Sequence, residues 1–334
     1  MKPARLRAGD VIAVVSPSWG GPAAFPERFE RGLAALAKCG LRPRVMPHAR
    51  GAHRWVSGTI ADRVADLHEA FADPGVKGII TSIGGSHSSS LLPFIDFDLI
   101  AANPKVFCGY SDITVLHHAI HARTGLVTFY GPAVMPEFGE WPGPDDYTLE
   151  HFVKAVMEPA PIGAIPTPPY SVHEHRDWAL RPRPRRRDGP EPLVSLRPGT
   201  ARGKLLVACL PSARNLIGTP WLPEYRGRIL VLETPEQPYG PPDAERDLWH
   251  LRNAGLLSEL GGLVLGRGKE FTALQTRQFH EVVLEVVSEF EYPVLANLPV
   301  GHVSPIATLP IGVEAELEAQ TAGSSFAVIE SGVV

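Results

Sequence analysis

The chain is poor in cysteine, carries no strong charge of either sign and contains no long apolar run, and each shortage removes a class of protein. Its three cysteines, Cys39, Cys108 and Cys209, are odd in number and scattered over 334 residues, which gives neither a disulfide framework nor a CxxC metal pattern. They read as reduced core residues. With 32 Lys and Arg against 36 Asp and Glu, the formal charge is -4, so the chain is not built to neutralise a nucleic-acid polymer. No uninterrupted apolar stretch approaches the roughly 20 residues of a membrane helix, and Met1 to Asp10 lacks the apolar core of a secretion signal. A soluble, cytoplasmic protein with a small-molecule or short-peptide partner, and no membrane, is expected. HExxH, GxGxxG and GxxxxGKS are absent as well, which argues against the common zinc, dinucleotide and P-loop sites. His117 and His118 are adjacent on a predicted helix and cannot share one ligand face. No metal or cofactor is expected.

What is present is a 44% hydrophobic chain with 32 Gly and 34 Pro, long enough for two domains. Over the first 130 residues short apolar strands alternate with helical patterns, the mark of a parallel sheet covered on both faces. Strands are expected at Val11 to Ser16, Arg42 to Met46, Lys77 to Ser82 and Lys105 to Gly109, and helices at Pro26 to Cys39 and Thr59 to Phe71. From about Pro132 to Gly199 the pattern dissolves into Pro, Gly and charge, broken by one helix at Tyr147 to Met157. Order then returns with strands at Lys204 to Ala208, Arg228 to Glu233, Gly262 to Gly266 and Pro293 to Ala296, helices at Asp243 to Ala254 and Ala273 to Phe290, and two terminal strands. The expected fold is α/β: an N-terminal parallel-sheet domain over 1–140, a linker with a long surface loop over 141–200, and a C-terminal α/β domain over 201–334.

Several segments could carry chemistry. In Lys105-Val-Phe-Cys-Gly-Tyr-Ser-Asp-Ile-Thr114 a strand ends at Gly109 and a helix begins just after Ser111. A serine at such a turn exposes its hydroxyl above the carboxyl end of a parallel sheet; equally, Ser111 or Asp112 could simply cap the helix. Ile83-Gly84-Gly85-Ser86 follows another strand, and its glycines let backbone amides approach a ligand, as an oxyanion hole or as an ordinary tight turn. A serine nucleophile requires a base oriented by a carboxylate. Glu233 ends the strand Arg228 to Glu233, and His302 lies in the Gly/Pro-bounded Leu298 to Pro305. Taken singly, a loop histidine and a strand-end glutamate are each ambiguous. The order Ser, Glu, His matches a known triad order, but Gly109 to Ile113 lacks the second glycine of GxSxG, which disfavours an ordinary α/β-hydrolase.

Together these residues resemble the LD-carboxypeptidase and microcin-C immunity peptidases, a family of serine peptidases. The likeness runs through Ala8 to Pro17, Ile83 to Gly85, Pro104 to Thr114, Gly218-Thr219, Arg228 to Glu233, Gly301-His302 and Pro310 to Gly312, and Gly-Tyr-Ser-Asp-Ile-Thr is its most specific part. The resemblance implies Ser111 as nucleophile, His302 as general base and then acid, Glu233 as the orienting carboxylate, and the amides of Gly85 and Asp112 as the oxyanion hole. It also implies an active site at the interface of the two domains and a symmetric homodimer. Where many relatives carry Gly-Gly-Asn, this chain has Val207-Ala208-Cys209, which bears on substrate contacts but leaves the triad untouched.

The wording around Gly84 and Ser86 looks closer to the microcin-immunity branch, whose members hydrolyse the amide joining an acidic amino acid to a modified adenylate. On that reading Gly84, Ser86 and Trp178 are substrate contacts, with Trp178 stacking on the base; packing against its own loop is the alternative. The run Arg181 to Arg187 could meet phosphate, although its composition favours a solvated, disordered segment. Two other functions remain: a murein tetrapeptide LD-carboxypeptidase, and a non-catalytic binder of aminoacyl nucleotides or peptides.

Overall fold

The computed structural model describes residues 1–334. Five strands appear in the first part of the chain, β1 (Val11–Val15), β2 (Arg42–Val45), β3 (Val76–Thr81), β4 (Val106–Gly109) and β5 (Thr128–Tyr130). They pair in parallel in the order 5-4-3-1-2. Side-chain alternation decides which face each residue serves. Ala13, Val15, Ile79 and Phe107 point to the face covered by helices Ile60–Ala72 and Thr114–Thr124. Ile12, Val14, Ile80 and Cys108 point to the other, where Phe29 and Leu36 of helix Pro26–Lys38 pack. The helix Ile60–Ala72 starts as its sequence dictates, with a reciprocal cap between Thr59 and Asp62.

The remaining strands are β6 (Gly163–Ala164), β7 (Val194–Arg197), β8 (Gly199–Cys209), β9 (Ile229–Glu233), β10 (Gly262–Gly266), β11 (Val294–Leu298), β12 (Leu309–Ile311), β13 (Glu314–Ala319) and β14 (Ser325–Val328). Eight of them form a second, mixed sheet in the order 6-14-13-8-9-10-11-7, with a parallel centre of β8 to β11. The two-domain α/β architecture read from the sequence is therefore present, with two additions. Within 141–200, β6 and β7 form both outer edges of the second sheet. β12 leaves the C-terminal half and pairs antiparallel with β5, extending the first sheet. Three-residue and two-residue strands carry too little periodicity to be seen in sequence.

The two sheets share one continuous apolar core that runs from Ile12 and Phe29 through Tyr130 to Leu206, Val231 and Val264. Their contact is therefore large and mostly dry, which favours a fixed relative placement over hinge motion. Gly32 is one place where this packing leaves no room. A Cβ there would lie 2.2 Å from the carbonyl oxygen of Val134, at the start of the turn Val134–Phe138. Gly32→Ala should therefore lower unfolding stability by about 1–3 kcal/mol, measured by urea denaturation.

Candidate active site

Three strand ends converge at the seam between the sheets. After β4 the chain passes through Tyr110 into the turn Ser111–Ile113 and then helix Thr114–Thr124. Ser111 holds φ at +67°, a left-handed conformation uncommon for a residue with a Cβ and frequent where a side chain is presented for a purpose. Its backbone N–H donates to the Tyr130 hydroxyl at 3.1 Å. Glu233 is the last residue of β9, and its side chain is fully buried. His302 follows Gly301, whose φ is +84° and where a Cβ would sit 2.3 Å from the Glu233 carboxyl carbon. Glycine is thus required for the histidine loop to reach the acid.

These placements bring Ser111, His302 and Glu233, the three residues the resemblance implied, side by side. His302 Nε2 lies 2.9 Å from Ser111 Oγ, and Nδ1 lies 2.7 Å from Glu233 Oε2. The other carboxylate oxygen, Oε1, accepts from the Tyr130 hydroxyl at 2.6 Å. Tyr130, in a strand too short to read from sequence, was not among the expected site residues. A tyrosine closing Thr-Phe-Tyr beside the Gly109 strand end is the only sequence signal it offers.

The surrounding side chains hold this row in place. The Asp112 carboxylate does not cap the helix that follows it; it serves the start of the short helix Ser88–Phe94. Its Oδ2 accepts from Ser18 Oγ at 2.6 Å and from the amides of His87 and Ser88 at 2.9 and 2.8 Å, tying the glycine loop to the serine turn. Gly84 lies so close that a Cβ would be 2.7 Å from that of Ser111. Tyr110 sets its ring edge-to-face on His302 at 5.1 Å and donates to Glu137 at 3.0 Å. Cys209 sits level with Glu233 across β8 and β9. Burial, followed by the neighbouring Glu233 charge, raises its thiol pKa and holds it neutral. Cys209, Glu233 and His302 offer three ligand atoms within 4.8 Å. They could hold a metal ion only at the expense of the His302–Glu233 hydrogen bond.

The row opens on a cavity of about 880 Å³ that Gly84, Gly85, Ser86, Asp112 and Trp178 also line. Trp178 does not pack on its own loop alone. It stands 5.6 Å from Phe25 edge-to-face and carries the Arg28 guanidinium 4.1 Å over its ring. The arginine run departs from the disordered segment that composition favours. Arg183 pairs with Glu174, Arg185 with Glu140, Arg186 with Asp188, and Arg187 approaches Asp145 and covers Tyr170. Local acids pair with these charges, while Arg183, Arg186 and Arg187 stay largely open to solvent and only Arg185 is mostly buried. No helix is long and apolar enough to cross a membrane.

The chain is similar to known proteins along most of its length. The model of the LD-carboxypeptidase N-terminal domain matches residues 12–131, and that of the LD-carboxypeptidase C-terminal domain matches residues 202–317. The microcin C7 self-immunity protein MccF of Escherichia coli is 32% identical over 322 residues, covering 94% of this chain and 92% of that one. The murein tetrapeptide carboxypeptidase of Pseudomonas aeruginosa is 27% identical over 318 residues, 92% of each chain. Among solved structures, MccF in complex with aspartyl sulfamoyl adenosine matches with a TM-score of 0.92 at 31% identity over 100% of both chains. The MccF-like protein from Bacillus anthracis str. Ames matches with a TM-score of 0.91 at 33% identity over 99% of both.

The electrostatics of His302 follow from its neighbours. Burial disfavours the imidazolium, but the charge and hydrogen bond of Glu233, followed by the charges of Glu236 and Glu137, outweigh it, so the pKa moves up. Glu236 reaches within 3.5 Å of Nε2 from a half-exposed position. Burial pushes Glu137 up as well, to about 7. The His302 ring should therefore titrate above the ordinary value of about 6.5. In an NMR titration Glu236→Gln should lower that midpoint, because one anion favouring the protonated ring is gone; an unchanged midpoint would refute the attribution.

Proposed function

Because the chain belongs to the LD-carboxypeptidase family, a family of peptidases, we propose that it is a serine amidase that cleaves the bond joining an acidic aminoacyl group to a modified nucleotide. One observation carries the reading: a serine, an imidazole and a buried carboxylate in hydrogen-bonded succession, with the serine facing a cavity of nucleotide size. The likeness to MccF over the whole chain, and the position of Trp178 on the cavity wall, favour an aminoacyl nucleotide as occupant.

In the proposed reaction Ser111 Oγ attacks the amide carbonyl while His302 Nε2 takes its proton. Glu233 holds Nδ1–H, which fixes the tautomer with Nε2 free to accept and stabilises the imidazolium that forms. The oxyanion is received by the backbone amides of Gly85 and Asp112, each such donor being worth about 2.7–4 kcal/mol. His302 then returns the proton to the departing nitrogen, leaving an acyl group on Ser111 that water, deprotonated by the same imidazole, removes. Tyr130 is a positioning residue: its hydroxyl fixes Glu233 and accepts the Ser111 amide. Gly84 and Ser86 border the acyl group.

A fluorophosphonate probe should label Ser111, and Glu233→Ala and His302→Ala should abolish labelling. Absence of labelling in folded protein would mark a binder without turnover. With aspartyl or glutamyl sulfamoyl adenosine as substrate, His302→Ala should reduce turnover by about 100- to 10,000-fold, measured by product release. Faster cleavage of a murein tetrapeptide than of either nucleotide would transfer the assignment to the murein carboxypeptidases.

A further inference from the structure

Five basic side chains line the cavity: Arg28, Arg176, Arg185, Arg214 and Lys269. The four arginines are engaged. Arg28 donates to the carbonyls of Met135 and Pro136 and pairs with Glu140 at 3.1 Å. Arg185 pairs with the same carboxylate at 3.1 Å and donates to Ser304 Oγ. Arg214 meets Asp247 at 2.6 Å, and Arg176 donates to the Arg181 carbonyl.

Lys269 is different. It follows β10 and is only 9% exposed. The nearest carboxylate oxygen to its Nζ is Glu270 Oε1 at 3.9 Å, beyond hydrogen-bond reach. That oxygen is occupied by His175 Nδ1 at 3.1 Å. An ammonium has three donors and no acceptor, and burying it without partners is costly. Burial and the charge of Arg185 push its pKa down, against the pull of Glu270, Glu236 and Glu137. Glu236 and Glu137 also act on His302, so Lys269 and the imidazole share one local field.

We propose that Lys269 determines specificity by receiving a carboxylate of the substrate, on the acyl side of the scissile amide in an aminoacyl nucleotide and on the departing residue in a peptide. That carboxylate is either the acidic side chain of an aminoacyl group or the terminal carboxylate of a peptide. The proposal rests on the hydrolytic reading above and names the residue on which substrate charge is read. A ligand carboxylate supplies the acceptors that the protein withholds, and it enters a cavity whose arginines are already neutralised or bound to carbonyls. Lysine suits the task as a compact point charge on a flexible stem.

Calorimetric binding to the Ser111→Ala protein tests this without turnover. Two ligand pairs are compared: aspartyl against asparaginyl sulfamoyl adenosine, and a murein tetrapeptide against its C-terminal amide. In one pair the charged member should bind about 10- to 100-fold more tightly. Adding Lys269→Met should collapse that preference to near unity, and Lys269→Arg should restore part of it. The pair that responds identifies the source of the carboxylate. A preference that survives Lys269→Met overturns this assignment alone, whereas failure of all four compounds to bind overturns the functional reading and this one with it. Lys269→Met should melt at or above the parent temperature, because an unpaired buried charge is removed; a lower melting temperature would indicate a structural lysine and also overturn the proposal.

Discussion

The site depends on a single buried negative charge. The Glu233 side chain has no solvent exposure, and a carboxylate so placed must find its hydrogen bonds within the protein. Its donors come from both halves: the Tyr130 hydroxyl from the first sheet, and the His302 ring and backbone N–H from the second segment of the chain. Satisfying that charge is what aligns the imidazole with Ser111. Domain packing and site geometry are consequently one constraint, and the shared apolar core around it keeps water from competing for the same oxygens.

The sequence was legible where chemistry coincides with a strong local pattern. Ser111 follows and Glu233 ends a fully buried strand, and His302 stands in a glycine-proline loop, so each was visible as a candidate while remaining ambiguous alone. The resemblance carried by Gly-Tyr-Ser-Asp-Ile-Thr then tied them into one family. The strand and helix expectations agree with the structure to within a few residues at most ends, because their apolar periodicity is sustained.

What stayed hidden depends on partners distant in sequence. Tyr130, with its two bonds to Glu233 and Ser111, occupies a strand of three residues. The Asp112 side chain could be read as a cap, since aspartate at a helix start commonly is one, and only the fold shows it serving the glycine loop 25 residues away. The arginine run looked unstructured by composition, but its acids Glu140, Asp145 and Glu174 lie outside the run itself. Likewise β6 and β7 read as linker because an edge strand is defined by the neighbour it joins rather than by its own residues.

The return of β12 to the first sheet couples the site to the order of synthesis. Until residue 311 has been made, β5 presents an open edge, and the loop carrying His302 has no anchor on the far side. A nascent chain that has completed the Ser111 turn and the Glu233 strand therefore still lacks the imidazole that joins them. The hydrogen-bonded row comes into being only once the last portion of the polypeptide has threaded back to the first, so truncated products carry Ser111 without its imidazole partner.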